Sequence, residues 1–305
     1  MHWYILGAGA IGRLWACLFE HGSVPTTLML RDKAALAHWL HGNGIELHES
    51  GQVQRCSPEA EAINSPNPIQ HLLVTTKAYD TLTALRAIQH RLQPDCQIVL
   101  LQNGMGQQQA VLDLLPDCRL WAATTTAGTW REPPNRLHCI SRGETLIGPL
   151  SPATPVLPDG WDRLPLTLNG CDEILPVLWR KLAINCAINP LSALENCRNG
   201  ELLHDPRRLQ LLRQICTEVE QVATAVGITL FTGPLYQQAE AVAHATGDNL
   251  SSMLQDIRHK RQTEIEQITG YLCHRASEHG IATPLNTALL QQIRTLTMER
   301  EPQDD

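Results

Sequence analysis

The 305-residue sequence has no run of basic residues, and its formal net charge is −7. Proteins that bind nucleic acid or an anionic membrane surface as their main activity concentrate Lys and Arg in one segment or on one face. The sequence therefore argues against both partners. Small-molecule chemistry fits the composition better.

Close cysteine pairs and long apolar runs are missing too. The ten cysteines are scattered singly, without a CxxC pair or other close metal-ligand spacing, which predicts a reducing compartment, no disulfides and no metal site. Charged residues, prolines or glycines interrupt every apolar window before the roughly 20 residues of a membrane span. The first residues, HWYILGAG, indicate a strand and a glycine turn rather than a secretion signal. We therefore expect a soluble, cytoplasmic protein.

The length allows two domains, since single cores stop growing at roughly 250–300 residues. Strand-like and helix-like segments alternate in the first half, and helical periodicity dominates the second half. We predict an α/β fold in which residues 1–168 form an N-terminal Rossmann-type, doubly wound sheet and residues 169–305 form an all-α domain. The prolines near this boundary exclude a long helix or a central strand there; they are Pro149, Pro152, Pro155, Pro158 and Pro165.

A glycine-rich turn follows the first predicted strand, residues 2–6, and leads into a predicted helix. Gly7 permits the tight turn, Gly9 lets a diphosphate approach the backbone, and Gly12 allows close packing of the helix on the strand. A flexible loop is the alternative, and the position between strand and helix favours a dinucleotide site. The whole turn is Gly7, Ala8, Gly9, Ala10, Ile11 and Gly12.

The second predicted strand, residues 26–30, ends at Arg31. A dinucleotide fold meets the adenosine ribose at this point, where an acid binds the 2′-hydroxyl of NAD and an arginine accommodates the 2′-phosphate of NADP. Arg31 therefore favours NADP(H). The alternative is an ordinary surface ion pair between Arg31 and Asp32.

Later strand ends supply further candidates. Lys77 follows strand 70–76, and Asn103 follows strand 97–102. Because open α/β sheets bind ligands at the carboxyl ends of their strands, both side chains are expected near the cofactor, and Asn103 also near the substrate. The alternatives are a solvated lysine and a turn asparagine.

Two further β features are predicted in this half of the chain. Residues 120–129 should form a strand that ends in small residues, beside the same crevice. The segment NGIELHESGQVQ predicts a hairpin at the edge of the sheet.

In the helical half, Lys181, Asn185 and Asn189 recur every fourth residue within RKLAINCAINP. One helix would place them on one face. An ammonium group beside two amides can hold and protonate a developing alkoxide, which ketone reduction by a nicotinamide requires. The alternative is a polar network that only fixes helix packing.

Other helices have recognisable starts. Asp205–Pro206 and Thr283–Pro284 each pair an N-cap with a first-turn proline. A further long helix is predicted from about Ser251 to His279.

Segments in both halves resemble the ketopantoate reductase family and follow the family's order. The segments are GAGAIG near the start, LLVTTKA, LQNGMG, LWRKLAINCAINPLSALENCRNGEL and DNLSSMLQDIRHKRQTEIEQITG. The third and the last two are much more specific than the glycine motif.

The resemblance implies an NADPH-dependent 2-dehydropantoate 2-reductase of pantothenate and coenzyme A biosynthesis. It implies that Lys181 is catalytic and donates a proton to the C2 carbonyl oxygen, and that Glu264 contacts the cofactor ribose. Asn103 would serve both cofactor and substrate. Further cofactor contacts would come from Gly7 to Gly12, Arg31, Lys77 and the backbone at Thr129, and substrate contacts from Asn185, Asn189, Asn199 and Ser252. From the residues alone, Ser252 is a helix N-cap and Glu264 a solvated partner of Arg261.

The expected ligand is ketopantoate, bound by a monomer or homodimer whose two domains form one cleft. A related 2-oxo acid reductase of different specificity is one alternative. A catalytically silent NADP(H)-sensing protein is another, against which the presence of both Lys181 and Glu264 argues.

Overall fold

The computed structural model describes residues 1–42, 44–152 and 154–298. They form two compact units. Unit 1 comprises residues 1–102 and 107–174, and unit 2 comprises Asn103–Gly106 and the residues from Leu175 onward. Residues 299–305, which the prediction assigned to the second domain, lie outside the described residues.

Unit 1 contains all the strands of the described residues and four helices. Its helices are α1 (Ala10–His21), α2 (Lys33–His41), α3 (Thr81–Ile88) and α4 (Gln107–Leu114). Its strands are β1 (Trp3–Leu6), β2 (Thr26–Leu30), β3 (Ile45–Glu49), β4 (Gln52–Cys56), β5 (Glu59–Ala62), β6 (Ile69–Val74), β7 (Leu92–Leu100), β8 (Arg119–Thr125), β9 (Gly128–Glu132), β10 (Arg136–Ser141), β11 (Glu144–Pro149) and β12 (Thr167–Gly170).

The main sheet has the strand order β12-β11-β8-β7-β6-β1-β2-β5. The neighbours from β5 to β8 pair in parallel, and β11 runs antiparallel to β8. From β1 the chain adds strands first on the side of β2 and β5 and then on the side of β6, β7 and β8. This reversal defines a doubly wound sheet and places its ligand crevice at the carboxyl ends of β1 and its neighbours. The predicted fold class is confirmed for this unit.

Successive side chains of the central strands pack into two different hydrophobic cores, as expected for a sheet that is buried on both faces. Ile5 and Leu73 pack with Trp15 of α1 in one core. Leu6 and Leu72 contribute to the other core with Leu85, Ile98 and Val111 among its members. The glycine turn after β1 is thus anchored by a strand that is held on both sides.

A second sheet, in the order β4-β3-β10-β9, corrects two expectations. The predicted hairpin exists as β3 and β4, but it belongs to this second sheet, and β5 forms the edge of the main sheet. The predicted strand 120–129 is divided between β8 and β9, so Thr129 also lies in the second sheet. The physical reason is packing: Ile45, Leu47 and Leu137 are buried against α1, a tertiary contact that alternation along one strand does not specify.

Unit 2 is helical within the described residues, as predicted. Its central element, α5, packs against four other helices of the unit, which explains why apolar residues cover most of its circumference. The helices are α5 (Leu175–Leu194), α6 (Glu201–His204), α7 (Pro206–Ala225), α8 (Leu235–Ala245), α9 (Ser252–Arg258), α10 (Tyr271–Glu278) and α11 (Pro284–Met298).

The two predicted N-caps have different outcomes. Asp205 caps α7 as predicted, because its carboxylate accepts from the amides of Arg207 and Arg208. Helix α11 begins at Pro284 as predicted, but its amides at Leu285 and Asn286 donate to the Glu218 carboxylate at 2.9 Å. A side chain from α7 thus takes the acceptor role that the Thr283–Pro284 pattern had predicted for a local residue.

The predicted long helix from 251 to 279 is wrong. It is broken into α9, a non-helical turn, a π-helical segment Glu266–Gly270 and α10. Lys260 adopts a left-handed conformation with φ 53° after the end of α9, which an α-helix does not accommodate. Of the helices that the structure describes, none combines the length and the apolar character needed to cross a membrane.

Candidate active site

The glycine turn of unit 1 has the geometry that the sequence predicts for each glycine. Gly7 has φ +115°, and a Cβ there would lie 2.7 Å from the amide nitrogen of Thr76. A Cβ on Gly12 would lie 1.9 Å from the Gly7 carbonyl oxygen, whereas a Cβ on Gly9 would meet nothing within 4 Å. Gly7 and Gly12 are therefore required by the fold itself, and open space remains at Gly9 where a diphosphate would approach. These residues fit a dinucleotide.

This difference predicts opposite outcomes for two alanine variants. Gly12→Ala should lower the free energy of unfolding by about 1–3 kcal/mol or more, because the new methyl group collides with backbone. Gly9→Ala should leave the melting temperature nearly unchanged and weaken nucleotide binding by roughly tenfold or more, since it fills the space left for phosphate. Thermal unfolding and nucleotide titration of both variants test this. Equal loss of stability in both would contradict the assignment of Gly9 to the ligand.

The other predicted cofactor residues of unit 1 lie at different places. Arg31 is exposed directly after β2. Asp32 caps α2 by accepting from the Ala35 amide at 2.7 Å, and no ion pair between Arg31 and Asp32 occurs in the described residues. Lys77 follows the end of β6 and is half-buried. The Thr129 hydroxyl donates to the His138 carbonyl within the second sheet at 2.9 Å.

In unit 2, α5 carries the polar residues of the predicted stripe. Lys181, Asn185 and Asn189 all lie within its single helical span, and Asn189 is 8% exposed while the other two are half-buried. Their four-residue spacing places them on one face, as predicted. The stripe is therefore partly enclosed by protein, and Lys181 and Asn185 are its more accessible members.

Lys181 is electrostatically unusual. Burial lowers the pKa of its ammonium group to about 8, and the nearby Glu264 carboxylate opposes this effect. A lysine with this pKa is mainly protonated at neutral pH and yet gives up its proton far more readily than an ordinary lysine. These are the properties of a general acid.

Glu264 and Asn103 are brought to the same place. Glu264 is 5% exposed and accepts from the Asn103 side-chain amide at 3.3 Å. The segment Asn103–Gly106 is fixed by a bond from the Met105 amide to the Gln267 carbonyl at 2.8 Å. In this turn the left-handed conformations fall on Gly104 and Gly106, so a preference of asparagine for that conformation does not explain Asn103.

The break after α9 explains how Glu264 becomes buried. Arg261 forms an ion pair with Asp256, with Nε 2.9 Å from Oδ1. The pairing of Arg261 with Glu264 that helical spacing predicted is therefore wrong. The chain then resumes in the π-helical segment, where the Gly270 amide donates to the Ile265 carbonyl at 2.9 Å. Single π-helical turns of this kind often occur at functional sites because they reorient side chains.

The remaining substrate candidates lie where α5 meets the start of α9. The amide of Asn199 donates to the Asn249 carbonyl at 3.0 Å, and its side chain donates to Thr246 at 2.9 Å. The buried Oδ1 of Asn199 has no hydrogen-bond partner among the described residues. Ser252 is exposed at the first position of α9. Asn199 thus offers an unused acceptor, and Ser252 an accessible hydroxyl.

Comparison with known proteins shows the family to which the chain belongs. The family model described as "Ketopantoate reductase PanE/ApbA" matches residues 3–152, and its C-terminal counterpart matches residues 173–297. The chain belongs to the ketopantoate reductase family. A 2-dehydropantoate 2-reductase from Vibrio cholerae is 34% identical over 301 residues, which cover 97% of this chain and 98% of the relative.

Solved structures share the fold of this family member. A PanE/ApbA family ketopantoate reductase from Ralstonia eutropha JMP134 superimposes with a TM-score of 0.90 at 24% identity, covering 99% of this chain and 100% of the other. D-mandelate dehydrogenase in complex with NADH and anilino(oxo)acetate gives a TM-score of 0.89 at 21% identity, covering 98% and 99%. These two likenesses concern the fold.

Sequence reasoning missed two residues that shape the sites of this ketopantoate reductase family member. Thr75, directly after β6, donates to the Gly7 carbonyl at 2.7 Å and so fixes the glycine turn. Ser251, and not Ser252, is the N-cap of α9, since it accepts from the Leu254 amide at 3.2 Å, and its Oγ lies 2.8 Å from that of Ser192 on α5. The adjacent serines gave no signal for choosing between them.

Proposed function

We propose that this chain catalyses the NADPH-dependent reduction of 2-dehydropantoate to (R)-pantoate, a step of pantothenate and coenzyme A biosynthesis. The bound dinucleotide supplies the hydride for C2 of the substrate. Lys181 donates the proton to the carbonyl oxygen, so that the ketone becomes an alcohol. The observation that carries the proposal is the enclosed Lys181, with its pKa of about 8, in a member of this family.

The residues around Lys181 have complementary roles. Asn185 and Asn189 orient the substrate from the same helix face, and Asn199 and Ser252 bind its polar groups with an acceptor and a hydroxyl. Asn103 contacts both cofactor and substrate. Glu264 contacts the cofactor ribose, and its charge helps to keep Lys181 protonated.

The cofactor assignment rests on Arg31 and the glycine turn. Gly7 to Gly12 hold the diphosphate at the start of α1. Arg31 faces the 2′-phosphate of NADP(H), since Asp32 is engaged in capping α2. Lys77 and the backbone at Thr129 contribute further contacts. Cytoplasmic location and a monomeric or homodimeric state remain predictions.

An assay of NADPH oxidation with 2-dehydropantoate tests the activity. We expect kcat/KM to be at least roughly tenfold higher than with 2-oxo acids that lack the 4-hydroxyl group, because a site with polar groups for that hydroxyl rejects analogues without it. NADH is compared in parallel, since D-mandelate dehydrogenase, a protein of the same fold, binds it. A higher kcat/KM for another 2-oxo acid would favour the reductase of different specificity. No NADPH oxidation with any 2-oxo acid would favour the sensing protein.

A further inference from the structure

The second sheet of unit 1 has a face that packs on α1 and a face that is open to solvent. Ile45 and Leu137 are fully buried members of the core that includes α1. Because successive side chains of a strand point to opposite faces, the residues that alternate with them form the outer face. On that face Val53 is 58% exposed and Trp130 is 44% exposed. Large apolar side chains on a polar surface indicate a site of interaction when they lie in one patch.

One row of side chains crosses the outer face at right angles to the strands. In the strand order β4-β3-β10-β9 its members are Val53, His48, His138 and Trp130. The ring centres of His48 and His138 are 4.9 Å apart, and those of His138 and Trp130 are 4.1 Å apart in a stacked arrangement. The row is thus a continuous strip of rings with an aliphatic side chain at one end.

A second row, next to the first, alternates in charge. In the same strand order its members are Arg55, Glu46, Arg136 and Glu132. Nε of Arg136 lies 3.4 Å from Oε1 of Glu46, and its Nη1 donates to Glu132 at 3.1 Å. Two arginines and two glutamates leave the row neutral as a whole, so it does not repel a second copy of itself.

The order of the two rows makes the outer face complementary to itself. A two-fold axis that is parallel to the strands and lies between β3 and β10 sets β4 of one copy opposite β9 of the other, and β3 opposite β10. Each charge of the second row then faces a charge of opposite sign, and each apolar end of the first row faces the other. The facing pairs are Arg55 with Glu132, Glu46 with Arg136, Val53 with Trp130, and His48 with His138. Two sheets that pack face to face with nearly aligned strands are a common arrangement.

We propose that the outer face is the contact surface of a homodimer in which two copies of this chain are related by that axis. Charge complementarity selects the second copy as the occupant, because the alternation fits its own reversal. Strands of about five residues, spaced about 4.8 Å apart, give a footprint of roughly 300 Å². A standard interface buries roughly 800 Å² on each partner. The dimer is therefore weak and reversible, with a dissociation constant of roughly 10–100 µM, and it does not depend on which reaction the chain catalyses.

Sedimentation velocity of the full chain over a range of concentrations tests the dimer. The wild type should form dimers by about 200 µM. Glu46→Arg and Arg136→Glu should each weaken association by roughly tenfold or more, because two-fold symmetry creates two like-charge contacts in each variant dimer. The matched control is Arg86→Glu, which reverses an exposed charge on α3, outside the second sheet. It should leave association unchanged.

A mixture of the two variants separates contacts between copies from contacts within one chain. Equimolar Glu46→Arg and Arg136→Glu bring opposite charges together at both contacts, so the mixture should form a heterodimer with about the wild-type affinity. Mixing does not repair the ion pair that each variant has lost within its own chain, so a structural effect alone gives no rescue. If either variant does not fold, as judged by its melting temperature, Arg55→Glu and Glu132→Arg repeat the test on the other pair of charges.

Four results would overturn the proposal. A wild type that stays monomeric at about 200 µM would leave the outer face to a different partner. A dimer that both variants leave intact would use another surface. Variants that lose association and do not recover it in the mixture would refute the facing pairs. Species larger than a dimer would refute the two-fold axis, because such a contact closes with two copies.

Discussion

Replacing Lys181 with alanine should reduce turnover of 2-dehydropantoate by about a hundredfold to ten-thousandfold, the usual contribution of a positioned general acid. The loss should appear mainly in kcat. In the proposed reaction, the proton comes from this partly enclosed ammonium group, whose pKa burial lowers to about 8. NADPH affinity should change little, because the residues assigned to its phosphates lie in unit 1. Steady-state kinetics and nucleotide titration separate the two effects.

A matched control and chemical rescue make this test specific. Lys260→Ala removes a lysine of the same unit from the exposed turn after α9, and it should leave kcat unchanged. Added primary amines should restore part of the activity of Lys181→Ala, and better donors should restore more. If Lys181 had only a structural role, the recovered activity would not depend on how well the added amine donates a proton. An undiminished rate in Lys181→Ala would refute the assignment.

The strands, the glycine turn and α5 could be predicted because their signals are local. Gly7, Gly9 and Gly12 have roles that depend on their own geometry and on the adjoining strand and helix. The spacing of Lys181, Asn185 and Asn189 fixes a common face as soon as the helix is recognised. Periodicity also predicted the position of α7, whose Asp205 cap is formed within the next three residues.

Features that depend on distant contacts could not be predicted. The sequence predicts β3 and β4 as a hairpin. Their place in a second sheet, however, depends on the burial of Ile45 and Leu47 against α1. The amides at the start of α11 bind Glu218, which is 67 residues earlier in the chain than Leu285. Helical propensity continues through residues 259–265, where the chain in fact turns.

The break after α9 matters most for the site. From spacing alone, Glu264 was paired with Arg261 on a solvated helix surface, and the structure instead buries its carboxylate beside Asn103 and within electrostatic reach of Lys181. Only the family resemblance had assigned it to the site. Failures of local sequence rules are expected at sites that are selected for chemistry rather than for regular structure, which agrees with the role proposed for Glu264.

The pKa of Lys181 predicts how the rate of reduction depends on pH. The proposed proton donor is the protonated form of Lys181, which is present below its pKa of about 8 and lost above it. The kcat/KM for reduction should therefore be constant near pH 6–7 and fall by about tenfold per pH unit well above 8. Measurement of kcat/KM over this range tests the sign. A rate that rises through pH 8 would require the neutral amine as a base and would contradict the proposed role.

Glu264→Gln should move this decline to lower pH. The carboxylate raises the pKa of Lys181 against the effect of burial, so removing its charge lets burial lower that pKa further. Glutamine retains an oxygen that accepts from Asn103, so the hydrogen bond at 3.3 Å can persist while the charge is lost. The loss in kcat/KM should consequently be larger at pH 8.5 than at pH 6.5. A loss of equal size at both pH values would assign Glu264 to ribose binding alone, because a contact that does not act through Lys181 has no reason to follow its titration.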